Sequence, residues 1–222
     1  MKAGVVTFPG SNCDEDLAYA LSLSGFEVSS LWHKDSPDLS EFKLVVLPGG
    51  FSYGDYLRTG AMAAVSPIMQ SVKQFAGQGG LVLGICNGLQ ILCEAGLLPG
   101  ALVRNNSLKF ICKDVALNVE DTNNPWTSHL KKNDTLIYPI AHGDGRYVTD
   151  EPSYNAMKEK GQILLTYKNN PNGSAHDIAG LCNETKNVFG LMPHPERATD
   201  LRSQDGKKIW SSILNSLKEK SA

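Results

Sequence analysis

The chain has 222 residues, 41% of them hydrophobic, and balances 21 Lys and Arg against 23 Asp and Glu for a net charge of −2. That length supports one sizeable core, burying about 70% of the unfolded surface, so one domain over 1–222 is expected. With no basic tract, no apolar run near the roughly 20 residues of a membrane span, and an N-terminal run too short for a secretory signal, the reading is a soluble, cytoplasmic protein with no nucleic acid and no membrane among its partners.

Residues 2–8 are apolar and β-branched and read as a buried strand closed by Pro9-Gly10. Ser11-Asn12 with Glu15 form a capping-box pattern. Leu17, Ala20, Leu21 and Ser24 then give a helical stripe that Gly25 ends. Residues 26–32 are a second strand. Leu44-Val45-Val46-Leu47 is a third, stopped by Pro48-Gly49-Gly50. Ser66-Pro67 opens a helix to about residue 75. Residues 81–85 are a fourth strand. Strands alternating with helices at this spacing predict an α/β fold: an open, mostly parallel twisted sheet, helices on both faces, right-handed crossovers.

The second half reads differently. Residues 110–119 alternate apolar and polar as a half-exposed strand does. Strands are expected over 135–141 and 162–167. Residues 178–182 and 188–192 flank a five-residue hairpin loop. A last helix carries Trp210, Ile213, Leu214 and Leu217 on one stripe, with Asp205 near its start. These are antiparallel additions to the parallel half.

The chemistry starts at Gly84-Ile85-Cys86-Asn87-Gly88. A strand enters a cysteine flanked by glycines two positions away on each side, and a helix-forming run follows. That is the pattern of a nucleophile elbow, with glycines making room for a tight turn. A cysteine so held stands at a helix N-terminus, where the dipole favours a thiolate nucleophile.

A thiol nucleophile needs a base, and the base needs an orienting group. Met192-Pro193-His194-Pro195-Glu196 supplies both. Each proline pushes the residue before it into an extended conformation. His194 and Glu196 are then expected on one side of the chain, about 6–7 Å apart, as an imidazole and its carboxylate. Gly49-Gly50 follows another strand end, where open α/β sheets collect ligands. The backbone N–H groups of Gly50 and Asn87 are the expected oxyanion hole.

The other four cysteines fit a reducing compartment: the total is odd and no C-x-x-C occurs. No zinc spacing is present, so no metal is expected. Cys13 lacks flanking glycines at the elbow spacing, and its segment is read as shaping a surface near the site or a partner contact. Cys93 reads as core, Cys112 and Cys182 as strand packing. His142, in the Gly-rich His142-Gly143-Asp144-Gly145 turn, reads as structural or partner-facing rather than as a second base.

Together these residues resemble the class I, triad-type glutamine amidotransferases. Gly84, Cys86, Gly88 and Gln90 match the G-x-C-x-G-x-Q motif, His194 and Glu196 match His-x-Glu, and Gly49-Gly50 match the oxyanion loop. Residues 8–14, 141–146, 170–174 and 193–197 extend the likeness to one branch, the glutaminase subunits of phosphoribosylformylglycinamidine synthase, with Asp144 where that branch is expected to carry glutamate. The resemblance implies a flavodoxin-like glutaminase domain, Cys86 as nucleophile, His194 as base, Glu196 as orienter, and Gly49, Gly50 and Gln90 as glutamine contacts. It implies no cofactor in this chain, since no G-x-x-x-x-G-K-[ST] or G-x-G-x-x-G motif is present. ATP and Mg would be used by a partner, the large synthetase subunit PurL, with the small subunit PurS completing the complex. Two other readings are a glutaminase serving another amidotransferase and a PfpI-like cysteine hydrolase, which would lack the Pro-His-Pro-Glu segment.

Overall fold

The computed structural model describes residues 1–200 and 203–219; the remaining positions of the expected 1–222 unit lie outside the described residues. In chain order the elements are β1 (Lys2–Thr7), α1 (Asp14–Leu23), β2 (Glu27–Trp32), β3 (Leu44–Leu47), α2 (Ala61–Ala64), α3 (Ile68–Gly77), β4 (Leu81–Ile85) and α4 (Asn87–Glu94). The second half adds β5 (Ala101–Val103), β6 (Ile111–Val119), β7 (Thr135–His142), β8 (Arg146–Val148), α5 (Glu151–Glu159), β9 (Ile163–Tyr167), β10 (Ile178–Cys182), β11 (Val188–Leu191) and α6 (Asp205–Glu219).

One sheet runs β2-β1-β3-β4-β11-β10-β9-β6-β7. The first five strands are parallel, and the ladders from β11 to β7 are antiparallel. The parallel order matches the doubly wound pattern in which ligands collect at the carboxyl ends of strands. β3 and β4 are buried along their whole length, as continuous apolar runs in a covered parallel sheet should be. β5 and β8 form a separate antiparallel pair.

The consequential placement is β11. It leaves the β10 hairpin antiparallel, then lies parallel to β4 with Leu191 opposite Ile85. The Cys86 N–H donates to the Leu191 carbonyl at 2.8 Å. The strand ends that carry Cys86 and His194 are therefore neighbours, although 108 residues separate them in sequence.

The elbow glycines have specific reasons. A Cβ on Gly84 would lie 2.6 Å from the Gly88 backbone, and one on Gly88 would lie 2.1 Å from the Leu47 carbonyl oxygen. Gly88→Ala is therefore expected to force α4 off the end of β3, at a cost on the order of 3 kcal/mol. In a chain of this size that lowers Tm by roughly 6–12 °C, which thermal unfolding followed by circular dichroism measures.

Several local expectations need correction. The capping box does not form: Cys13 occupies the cap position of α1 without a side-chain cap. Ser11 pairs with Gly50 in an isolated bridge, and its Oγ accepts from the Phe8 N–H, while Asn12 Oδ1 accepts from the Cys13 thiol. Ser66 likewise pairs its hydroxyl with the Tyr53 hydroxyl at 3.0 Å rather than capping α3. Cys112 is exposed, not packed, because the first half of β6 carries no cover. Cys182 is buried as expected and Cys93 half-buried against the core. α2, β5, β8 and α5 were not anticipated. α5 is capped by Asp150 through the Ser153 N–H, but only Met157 of its residues is buried, so its apolar stripe is faint. Among the described residues no helix is long and apolar enough to cross a membrane.

Candidate active site

Cys86 has φ 51° and ψ −104°, a left-handed conformation that a non-glycine residue adopts only under constraint. The constraint is visible: its N–H is tied to β11, its carbonyl accepts from the Gln90 N–H, and Gly84 and Gly88 remove the side chains that would block the turn. The N–H of Asn87 opens α4, where the first helical amides have no partner within the helix. The Asn87 side chain is fully engaged: Oδ1 accepts from the Ser52 N–H at 3.1 Å and Nδ2 donates to Gln90 Oε1 at 2.9 Å.

The loop after β3 closes on the same point. A Cβ on Gly49 would meet His194 Cε1 at 2.8 Å, Cys13 Sγ at 3.1 Å and Cys86 Cβ at 3.4 Å. Gly49 is thus the floor on which the imidazole and both thiols converge. Gly50 has φ +142°, and a Cβ there would meet Asn12 N, Gly10 O and Ser11 Cα, each at 2.8 Å. The Phe51 N–H donates to the Gly10 carbonyl across the bridge, an arrangement in which the Gly50 N–H stays out of the ladder.

His194 lies three residues past β11, with its N–H on the Pro139 carbonyl of β7. Its Nδ1 donates to Glu196 Oε1 at 2.6 Å, with both side chains essentially buried. The spacing works differently from the sequence expectation. His194 is extended, but Pro195 starts a 3-10 turn over Pro195–Ala198 instead of continuing the strand, since its fixed φ suits the first position of a helix. The turn folds the Glu196 carboxylate back onto the ring. Arg197 then reaches α1, donating to Asp16 Oδ2 at 3.0 Å and to Cys13 Sγ at 3.2 Å. From below, Thr199 Oγ1 donates to the Pro195 carbonyl and accepts from Trp210 Nε1. α6 thus braces the turn.

Burial alone would lower the His194 pKa. The Glu196 carboxylate, the charge of Cys86, and hydrogen-bond contributions from Cys13 and Cys86 outweigh it and hold the imidazole well above its ordinary value. Nε2 is buried and lacks a well-formed hydrogen bond, so the two sulfurs act on it by proximity. Cys13, His194 and Glu196 bring three metal-type donors within 4.8 Å, but two of them already satisfy each other.

Cys86 stands between two pockets. One, about 130 Å³, is shared with Cys13, Phe110, His194 and Arg197. The other, about 200 Å³, is walled by Gly50, Asp55, Gln90, Arg104, His142 and Asp144. A larger pocket of about 610 Å³ lies beyond β9, around Glu120, Lys158 and His176. It contains neither Cys86 nor His194, so size is a poor guide to the chemistry here.

Gln90 is buried, and both ends of its amide are used. Nε2 donates to the Asp144 carbonyl at 2.7 Å, while Oε1 takes the Asn87 bond. It ties the elbow helix to the 141–145 loop. Sequence reading missed what holds that loop. Asn105 Nδ2 donates to the Lys109 and His142 carbonyls, and its Oδ1 accepts from Gly145 N–H and faces His142 Nδ1. Asn172 Nδ2 donates to the Gly145 carbonyl at 2.8 Å. The His142-Gly143-Asp144-Gly145 and Asn170-Pro171-Asn172 runs were visible as motifs, but asparagine clamps across tertiary contacts leave no local spacing to read.

With this geometry in view, comparison with known proteins is direct. Residues 1–213 match the model of the CobB/CobQ-like glutamine amidotransferase domain. The chain is 57% identical over 221 residues to phosphoribosylformylglycinamidine synthase subunit PurQ of Alkaliphilus metalliredigens, covering 98% of this chain and 97% of that protein. It is 54% identical to the PurQ subunit of a Synechococcus strain, with 97% of each covered. Among solved structures, PurLQS from Thermotoga maritima contains a chain matching at TM-score 0.90 and 49% identity, over 97% of this chain and 98% of that one. A glutamine amidotransferase from the same organism, at 17% identity and TM-score 0.61 over 100% of this chain and 85% of that one, shares the fold. The chain belongs to the CobB/CobQ-like glutamine amidotransferase family.

Proposed function

We propose that this chain is the glutaminase subunit of phosphoribosylformylglycinamidine synthase, with 1–222 forming one glutaminase domain. The observation that carries the chemistry is the buried His194–Glu196 pair at 2.6 Å beside the elbow cysteine. Near-full-length identity of 57% to a PurQ subunit supports the pathway.

In this reading Cys86 Sγ attacks the side-chain amide carbon of glutamine. The oxyanion that develops is held by the Gly50 and Asn87 N–H groups. Imidazolium His194 gives its proton to the departing nitrogen, the C–N bond breaks, and ammonia leaves a γ-glutamyl thioester. Neutral His194 then takes a proton from water, whose oxygen attacks the thioester. Glutamate departs and the sulfur regains its proton. Glu196 fixes the ring by accepting from Nδ1. Gly49, Gly50 and Gln90 form the wall against which the glutamine side chain lies.

Ammonia made here serves another chain. PurL would use it with ATP and Mg to convert formylglycinamide ribonucleotide to the amidine, with PurS completing the complex, and the setting is cytoplasmic. The chemistry assigned to this chain calls for no metal or cofactor of its own. A glutamine-like electrophile should modify Cys86 stoichiometrically in the reconstituted complex, as peptide mapping by mass spectrometry reads. Modification at Cys13, or at no cysteine, would overturn the assignment.

A further inference from the structure

The smaller cavity at Cys86, about 130 Å³, brings together a donor set that glutamine hydrolysis does not need. Cys13, Cys86 and His194 all line it. Each comes from a different strand end: Cys13 follows β1, Cys86 ends β4, and His194 follows β11. Donors assembled this way carry no C-x-x-C spacing in the sequence.

The three crowd one point. An atom placed as a Cβ on Gly49 would lie 3.1 Å from Cys13 Sγ, 2.8 Å from His194 Cε1 and 3.4 Å from Cys86 Cβ. Cys13 Sγ, a ring nitrogen of His194 and a Glu196 oxygen lie within 4.8 Å of one another. His194 Nδ1 is committed to Glu196 Oε1 at 2.6 Å. Its Nε2 is buried and unpartnered, in a side chain only 2% exposed. An imidazole whose far nitrogen donates to a carboxylate is the usual form of a zinc-ligating histidine: the carboxylate fixes the tautomer and raises the basicity of the free nitrogen. The Cys13 sulfur accepts from Arg197 Nη2 at 3.2 Å, an N–H···S bond that remains available to a metal-bound thiolate. Its own S–H points at Asn12 Oδ1 and is the proton a metal replaces.

We propose that Cys13 Sγ, Cys86 Sγ and His194 Nε2 form an inhibitory zinc site, with water in the fourth tetrahedral position. On binding, Zn²⁺ displaces both thiol protons, and any proton on Nε2, to solvent. Two thiolates then balance the charge of the dication. Soft sulfur donors select zinc over Mg²⁺, which demands oxygen ligands. Coordination occupies the lone pair with which Cys86 attacks glutamine and the nitrogen with which His194 moves protons. Zinc therefore silences this chain without touching chemistry on a partner. The inhibition rests on the glutaminase reading above, whereas the coordination does not.

Cobalt(II) is the spectroscopic stand-in for zinc. Titrated into the reduced full-length chain, it should give a thiolate-to-cobalt charge-transfer band in the near ultraviolet and tetrahedral d–d bands in the visible, and added zinc should remove both. Cys13→Ser should weaken the charge-transfer band and raise the cobalt needed by at least about 10-fold, the loss that a disturbed ligand shell brings. In the reconstituted complex, zinc should stop glutamine-dependent synthesis and spare synthesis from free ammonia. Cys13→Ser should need at least about 10-fold more zinc for the same fractional loss, each protein being measured against its own zinc-free rate. Absence of a thiolate band in the wild type would refute the site without recourse to any variant. Unchanged metal affinity in folded Cys13→Ser would remove Cys13 from the ligands and overturn the proposal. Equal zinc inhibition of both syntheses would refute the inhibitory role. A zinc-free complex that uses ammonia but not glutamine, beside an intact cobalt band, would instead bring down the glutaminase reading and leave the zinc site standing.

Discussion

Cys86→Ala is expected to abolish glutamine-dependent amidine synthesis by the reconstituted complex, by about 10⁴-fold or more, while synthesis supplied with free ammonia continues at the wild-type rate. The separation follows from where the residue sits. On the proposed mechanism, removing Sγ takes away the group that forms the thioester, and a lost nucleophile costs nearly as much as losing the whole catalytic unit. The substitution disturbs little else: the elbow is held by backbone bonds to Leu191 and Gln90 and by glycine packing against Leu47. Alanine keeps Cβ, and the sulfur's recorded contact to a backbone carbonyl is a distant 3.9 Å from Ala141 O. The partner's surface should therefore see an unchanged subunit. Loss of both activities would assign Cys86 a structural role, which the backbone-based support of the turn argues against. Retained glutamine use would move the nucleophile to Cys13, whose sulfur also approaches His194 but is bonded to Arg197 and Asn12.

The parts that sequence reading recovered are those with a local physical signature. Burial on both faces makes β3 and β4 unbroken apolar runs, and both come out at their observed bounds. The elbow is legible because steric necessity writes glycine at fixed offsets: Gly84 and Gly88 face backbone at 2.6 and 2.1 Å. The Pro-His-Pro-Glu segment is legible as a pair, but its conformation is not, because Pro195 suits an extended chain and the first turn of a helix equally well. What stays hidden is whatever depends on strands remote in sequence. That β11 inserts beside β4, and so sets His194 next to Cys86, follows from the register Leu191 to Ile85, and periodicity carries no register between distant strands. The Asn105 and Asn172 clamps and the Trp210 brace under the Glu196 turn are hidden for the same reason. Polar loop residues such as Ser11, Asn12 and Ser66 mislead in the opposite direction. Their side chains suit helix caps, but near neighbours claim two of them, Phe8 that of Ser11 and Cys13 that of Asn12, and Tyr53 claims that of Ser66.

Glu196→Gln is expected to lower kcat for glutamine hydrolysis by about 10³–10⁴-fold, with KM changed far less and ammonia-supported synthesis intact. In the proposed mechanism the carboxylate, 2.6 Å from Nδ1, has two roles. It selects the tautomer that points Nε2 at the sulfur, and it neutralises the imidazolium formed when His194 carries a proton. A glutamine amide retains an acceptor for Nδ1–H but not the charge, so the buried ring faces burial without its largest compensating partner. The pKa of His194 must then fall, and with it the fraction able to donate to departing ammonia at neutral pH. The same linkage appears in stability. A histidine whose folded pKa is raised stabilises the fold fully below its unfolded value near 6.5, and loses that contribution as pH rises through the raised value. Wild-type Tm should therefore carry a component that declines above neutrality, and Glu196→Gln should lack it. Thermal unfolding between pH 6 and pH 9 reads both proteins. Parallel Tm curves would show that the pair is not ionised as its burial and geometry require, and an unchanged kcat would remove Glu196 from the catalytic unit altogether.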